Sequence, residues 1–303
     1  MIKTNEDKLA MCSVQGTVSN PKFKSPFLVG ADGISRFLPG TGGITYNIKV
    51  GDPACGWAVD HVEPGVTTVL DESAPEGPKN AGYNAFACVG NDVKVVSGDA
   101  KGAIGTVTGT HGGSEHVIVD FDDDTLDKLN MDDKFLIRTY GQGLKFLDYP
   151  EIYVYSIDPR LLKKWNIKEN GDGTISVPVT KVVPAYLLGS GIGKINPMVG
   201  DYDIQTHDPD EFKRLKLDEI KLGDFVAVTD HHGNWGRSYL KGSISVGVIV
   251  HCNSFLAGHG PGVVNLISSR KPIIKPVVDK NANIAQYLKI GRFRRAEKTK
   301  HGK

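Results

Sequence analysis

The stretch from Gly223 to Ser269 concentrates residues that can hold a metal ion or move a proton: Asp230, His231, His251 and His259. Asp230-His231 ends the apolar run Phe225–Thr229, and His251 follows the nearly continuous apolar run Ile244–Val250. His259 stands alone in the glycine-locked turn Gly258-His259-Gly260-Pro261-Gly262. Side chains at the ends of buried strands are presented rigidly to a rim, where binding and catalytic groups gather. A neutral imidazole beside an ionised carboxylate suits acid–base work and the ions Zn, Mn and Fe. These four residues are the expected catalytic set and the expected centre of a divalent metal site. Asp201 and Asp203 extend that site, because residues at i and i+2 of an extended chain point the same way. Arg237 offers a bidentate anchor for a substrate carboxylate. Asn253 and Gly260 complete the expected substrate-binding set, with the glycines leaving a ligand room to approach His259. The pair Asp60-His61, inside the run Trp57–Val62, is a secondary candidate for the same site.

Other chemistries lack their signatures. His251 and Cys252 are adjacent on an extended segment and face opposite ways, so they cannot form a thiol–imidazole pair. A G-x-S-x-G nucleophile elbow is absent. Gly189-Ser190-Gly191-Ile192-Gly193 lacks the Lys-Ser/Thr of a phosphate loop, and Pro197 follows where a helix should begin. Cys12, Cys55, Cys88 and Cys252 form no C-x-x-C pair, which argues against a zinc–thiolate site or a disulfide framework. Each is expected to be a small buried apolar residue, and a reducing, cytoplasmic setting fits them. No run approaches the roughly 20 apolar residues of a membrane span, and Met1–Lys8 has no signal-peptide core.

The elements that must position these residues read as mainly β, a β-rich α+β chain with a small barrel and a few short helices. Glycine accounts for 36 of 303 residues, nearly twice the ~7% average, which suits many tight turns. Residues 1–90 alternate short apolar pieces with Gly/Pro turns and are expected to pack as strands against the C-terminal part. Within 91–140, Val93–Val96, Ala103–Val107 and His116–Phe121 read as strands around glycine turns, with Val117, Val119 and Phe121 on one face. This looks like the hairpin of an SH3-like small barrel, as also seen in the RNA-binding KOW motif. Its acids, Asp120 and Asp122-Asp123-Asp124 among them, oppose phosphate binding. Residues 141–288 form the expected main domain, with helices opened by Asp158-Pro159 and Asp208-Pro209 and a third near Asn283–Lys289. Residues 289–303 are a basic tail with seven Lys or Arg against one acid, a net +6 that leaves −5 on the remainder of a chain of net charge +1.

Gly223-Asp224-Phe225-Val226-Ala227-Val228, Asp230, Gly236-Arg237, Gly242, Gly247–His251 and Gly258–Gly262 together resemble an uncharacterised bacterial and archaeal family, domain of unknown function 4438. Gly189–Gly193, Gly200–Ile204 and Gly141–Leu144 carry the same resemblance. It implies a β-rich fold with an SH3-like barrel inserted between flanking segments, and it supplies no activity. The residues themselves support a metal-assisted hydrolase or lyase of a small polar substrate, with C–N bond cleavage as the specific expectation. A non-catalytic binding protein for a small anion is the alternative. A nucleic-acid-associated protein using barrel and tail is a third. Exposed edges of a Gly-rich β protein make a homo-oligomer the expected state.

Overall fold

The computed structural model describes residues 2–21 and 28–294. Strands dominate, as the turn-rich sequence requires. Six of them, Cys12–Val18, Lys134–Thr139, Asp92–Val95, Ile104–His111, His116–Asp120 and Gly65–Val69, pair antiparallel in that order. The last pairs back on the first through Thr17↔Val69, which closes a barrel. The expected small barrel is therefore present, and it reaches further back in the chain than residues 91–140. Strands 12–18 and 65–69 from the first ninety residues complete it.

Alternation along His116–Asp120 shows how the barrel is used. Val117 and Val119, with Phe121 just beyond, point into a core with Val93, Val95, Val107, Phe135 and Ile137. Ile118 points outward and joins a second core built with Ile157, Val246 and Val250. The strand is buried on both faces, and burying such side chains contributes about 1.5–3 kcal/mol each. The barrel is thus packed directly against the rest of the chain.

That remainder is centred on an open sheet. Its strand order is Ile152–Val154, Gly262–Ser269, Ser238–Ile249, Phe225–His232 and Lys181–Pro184, with Tyr202–Asp203 also paired to Gly262–Ser269. Only the pairing of 181–184 with 225–232 is parallel. A smaller sheet joins Lys168–Glu169, Ile175–Val179 and Ile274–Val278. Gly109 in the barrel strand Ile104–His111 sits where a side chain would collide with Val250. The barrel backbone therefore seats on Val250, and this close approach sets His111 beside His251.

The Asp-Pro helix starts are present. Asp158 accepts from Arg160 N at 2.7 Å, and Asp208 from Asp210 N and Glu211 N at 3.0 and 3.1 Å. Asn283 caps Ile284–Leu288 in the same way. The helix Pro78–Phe86 lies in a segment read as strand and turn. Gly77-Pro78 is its start signal, and its Asn80 and Asn84 both donate to the Glu115 carbonyl at the tip of the hairpin that carries His111. All four cysteines are free, Cys88 and Cys252 buried as expected, but Cys55 only half-buried and Cys12, at the end of its strand, exposed. The first residues of the basic tail are not loose: Arg292 pairs with Asp52 and Arg294 with Asp120. Residues 295–303 of that tail lie outside the described residues. Among the described residues no helix is long and apolar enough to cross a membrane.

Candidate functional site

Five segments of the chain meet where the barrel touches the open sheet. Asp201 and Asp203 flank Tyr202, so that both carboxylates project from one side of the strand while Tyr202 enters the core. His251 lies just past the long strand Ser238–Ile249, and His259 sits at the glycine turn leading into Gly262–Ser269. From the barrel side come His61, in the left-handed region at φ 60°, and His111, at the end of its strand. Strained backbone of this kind is concentrated at functional sites.

The imidazoles are aimed. His61 Nδ1 faces Asp60 Oδ1 at 3.0 Å, while His111 Nδ1 donates to Glu63 Oε1 at 2.6 Å and His251 Nδ1 to the Cys252 carbonyl at 2.8 Å. Each ring then turns Nε2 toward the cluster, the arrangement in which a second acceptor fixes the tautomer of a metal-binding histidine. His251 Nε2 lies 2.8 Å from Asp201 Oδ2, yet both atoms are buried and neither has a hydrogen-bond partner. The other oxygen of Asp201 accepts from Gly112 N at 2.8 Å. His259 Nδ1 lies 3.0 Å from Asp203 Oδ2 and 2.9 Å from His61 Nε2. The rings of His111 and His251 stack at 4.1 Å between centroids.

Electrostatics follow from this packing. Burial opposes protonation of His251, but Asp201 and Asp203 overcome it and hold its pKa well above the usual histidine value. Burial and the neighbouring His251 push His111 down. Glu63 is fully buried, yet His116 and His111 hold its carboxyl well below the usual range. It accepts from His111, His116, Thr67 and Gly42 N, and so stays ionised as the anchor of His111. Ser19 Oγ, His116 and Glu63 form a line at 3.0 and 3.2 Å that resembles a nucleophile relay. All three are buried, so the line braces His111 and meets no substrate.

The structure brings together Asp201, Asp203, His251, His259 and the secondary pair Asp60-His61. It does not bring Asp230 and His231 to them. A bulge falls between Thr229 and His231, with Asp230 at φ 56°, and an inserted residue re-aims the side chains beyond it. Asp230 Oδ1 accepts from Gly242 N at 2.7 Å. His231 Nδ1 bonds Ser245 Oγ at 2.6 Å, its ring 4.8 Å from that of Tyr202, on the core side of the aspartate strand. Burial, then Arg237, lowers its pKa to about 3. Neither residue has a ligand atom among the metal-competent groups of the described residues.

Arg237, expected to anchor a substrate, is fully buried. Its guanidinium donates to the backbone carbonyls of Val199 at 2.9 Å, Gly200 at 3.0 Å and Asp201, so it holds the turn that presents Asp201. Arg237→Ala would leave three buried carbonyls unpaired at about 1–3 kcal/mol each. A loss of at least about 3 kcal/mol in urea unfolding is the expected result; a substrate anchor would leave stability unchanged. Asn253 is likewise a scaffold residue: its carbonyl accepts from His61 N at 3.2 Å and its Oδ1 from Thr206 Oγ1 at 2.7 Å. Gly260 donates its N–H to Asp203 Oδ2 at 3.3 Å, and a Cβ there would fall on the Ile204 carbonyl.

His111 and Glu63 were not among the expected residues. The available signals were a histidine before Gly112-Gly113, echoing the glycine-flanked His259, and an acid two places after His61.

Two family models match end to end: domain of unknown function (DUF4438), N-terminal, over residues 27–163, and its C-terminal counterpart over 164–288. His61 and His111 fall in the first, and Asp201, Asp203, His251 and His259 in the second. The crystal structure of TM1086 is similar, with 45% sequence identity, 94% of this chain and 99% of that chain covered, and a TM-score of 0.89. No curated protein matches the chain.

Proposed function

The chain belongs to the DUF4438 family, and we propose that it is a metal-dependent hydrolase or lyase acting on a small polar substrate at this His/Asp cluster. C–N bond cleavage is the specific reaction we infer. One observation carries the reading: His251 Nε2 and Asp201 Oδ2 are buried 2.8 Å apart, face to face as an ion pair out of hydrogen-bond alignment, and neither has any hydrogen-bond partner. Buried polar atoms left unpaired in protein are costly, and two donors converging in this way are satisfied by a shared cation. Nitrogen and carboxylate ligands of this kind suit Zn, Mn or Fe. A divalent ion held there would supply Lewis acidity toward a carbonyl or a water molecule.

The protein's own groups do the rest. His259 is a third exposed and is the group of the cluster that substrate can reach. Asp60, hydrogen-bonded by Ser254 Oγ at 2.6 Å, orients His61. Ser254 and Asn253 also line a groove of about 600 Å³ with Trp57, Phe212, Phe255 and Arg36, a size that suits a small ligand. Its aromatic walls would pack the apolar part of a ligand, while His259 and Asp203 stay placed to hold or move a proton.

Elemental analysis of protein purified without a histidine tag tests the reading, together with a panel of amides, ureas and amidines as substrates. At least one divalent ion per chain is expected, with a fall in melting temperature on chelation. A ligand a thousandfold above its Kd stabilises by about 4 kcal/mol. Absence of stoichiometric metal, with melting unchanged by chelation, would falsify it. Bound metal without turnover of the panel would favour a non-catalytic role at the same place.

A further inference from the structure

We propose that the cluster is a centre for two ions sharing Asp203, an inner position made by His111, Asp201 and His251 and an outer one made by His61, Asp203 and His259, with the inner position filled first. This rests on the metal-dependent reading above and goes beyond it. The ligand atoms separate into those two sets, each lying within 4.8 Å internally. Donors around one ion at about 2.1 Å lie within roughly 4.2 Å of one another, so each set is one ion's worth of ligands once its widest pair closes by some tenths of an ångström. Each set also has the same composition: a histidine from the N-terminal domain, and an aspartate and a histidine from the C-terminal domain.

The sets abut through one carboxylate. Asp203 Oδ2 faces His259 Nδ1 at 3.0 Å and His61 Nε2 at 3.5 Å, while Asp203 Oδ1 faces His251 Nε2 at 3.7 Å. Its two oxygens are thus turned toward different positions. The His61 and His251 rings lie 5.2 Å apart between centroids, joining the sets on another side.

The positions differ in what they hold without an ion. In the outer set, His61, His259 and Asp203 already hydrogen-bond one another, and His259 is partly exposed. An ion entering there must displace those bonds. The inner set is wholly buried, and two of its ligand atoms have no partner. An ion entering there takes the place of one close His251–Asp201 contact and breaks no hydrogen bond of those two atoms, which makes it the tighter position.

Titration of the metal-stripped full chain with Mn(II), followed by calorimetry and elemental analysis, tests the proposal. The expected result is two ions per chain, in steps at least tenfold apart in Kd. A second equivalent should broaden the electron paramagnetic resonance signal of the first, as coupled neighbouring ions do. His259→Ala, at a partly exposed position that the fold tolerates, should abolish the weaker step and keep the tighter one. One ion per chain in the wild type, or two indistinguishable and uncoupled ions, would overturn the two-ion proposal and leave the metal-dependent reading standing. No ion bound at all would overturn both.

Discussion

Gly262→Ala should abolish tight metal binding in a protein that still folds. The backbone at Gly262 is extended and pairs with Asp203, so alanine meets no conformational barrier there. A Cβ at this position would nevertheless fall on Asp201 Oδ2 and His251 Nε2, the two ligand atoms that converge without a hydrogen bond. Those side chains must part to admit it. Overpacking of this sort costs about 1–3 kcal/mol of stability, a tolerable loss for a chain with several large cores. Metal affinity should suffer far more, because ligand geometry has little slack. Calorimetry on the metal-stripped variant is expected to show the Kd weakened at least about a hundredfold, on the scale of lost ligand support. Wild-type affinity at wild-type stability would mean that this pair of atoms is not where the ion sits.

Glu63→Gln is expected to act at one remove. Glu63 accepts from His111, His116, Thr67 and Gly42, and an amide can accept on one side only. Some buried N–H or O–H must then face an NH₂ group, at a cost of about 1–3 kcal/mol. With the NH₂ on the Oε1 side His111 loses the acceptor that fixes its tautomer, and with the carbonyl there it keeps only a weaker, uncharged one. Loss of such a supporting carboxylate typically costs about 10–100-fold in metal affinity. The variant should melt lower, bind metal more weakly, and keep the ligand count of the wild type. Unchanged affinity in a folded variant would show that Glu63 serves the barrel alone.

How much of this was legible in the sequence depended on whether geometry is local. Asp201 and Asp203 could be placed together because an extended chain returns side chains to the same side every second residue. His251 and His259 stood out by density and by their glycine surroundings. Asp230 and His231 had the same density, but a single inserted residue at the Thr229–His231 bulge turned them elsewhere, and no residue type announces a bulge. Arg237 illustrates a different limit: a guanidinium fits three carbonyls as well as it fits a carboxylate, and only burial distinguishes them. His111 was hidden by its context, since its hairpin reads as barrel structure. Its role appears only when Gly109 seats on Val250 and carries it to His251. The barrel itself was legible in its central hairpin and less so in its closure, which needs strands 12–18 and 65–69 from far upstream.

The separation of the ligands along the chain sets the order of events during synthesis. His61 and His259 stand 198 positions apart, and the inner position likewise reaches from His111 to His251. Contacts of such range form late, after the local strands and hairpins exist. A nascent chain emerging from the ribosome therefore cannot complete either position before His251 or His259 is out, and the cores must assemble without that help. On the two-ion proposal, loading would be a maturation step on a finished scaffold, open to competition among whatever cations the surroundings offer at that moment.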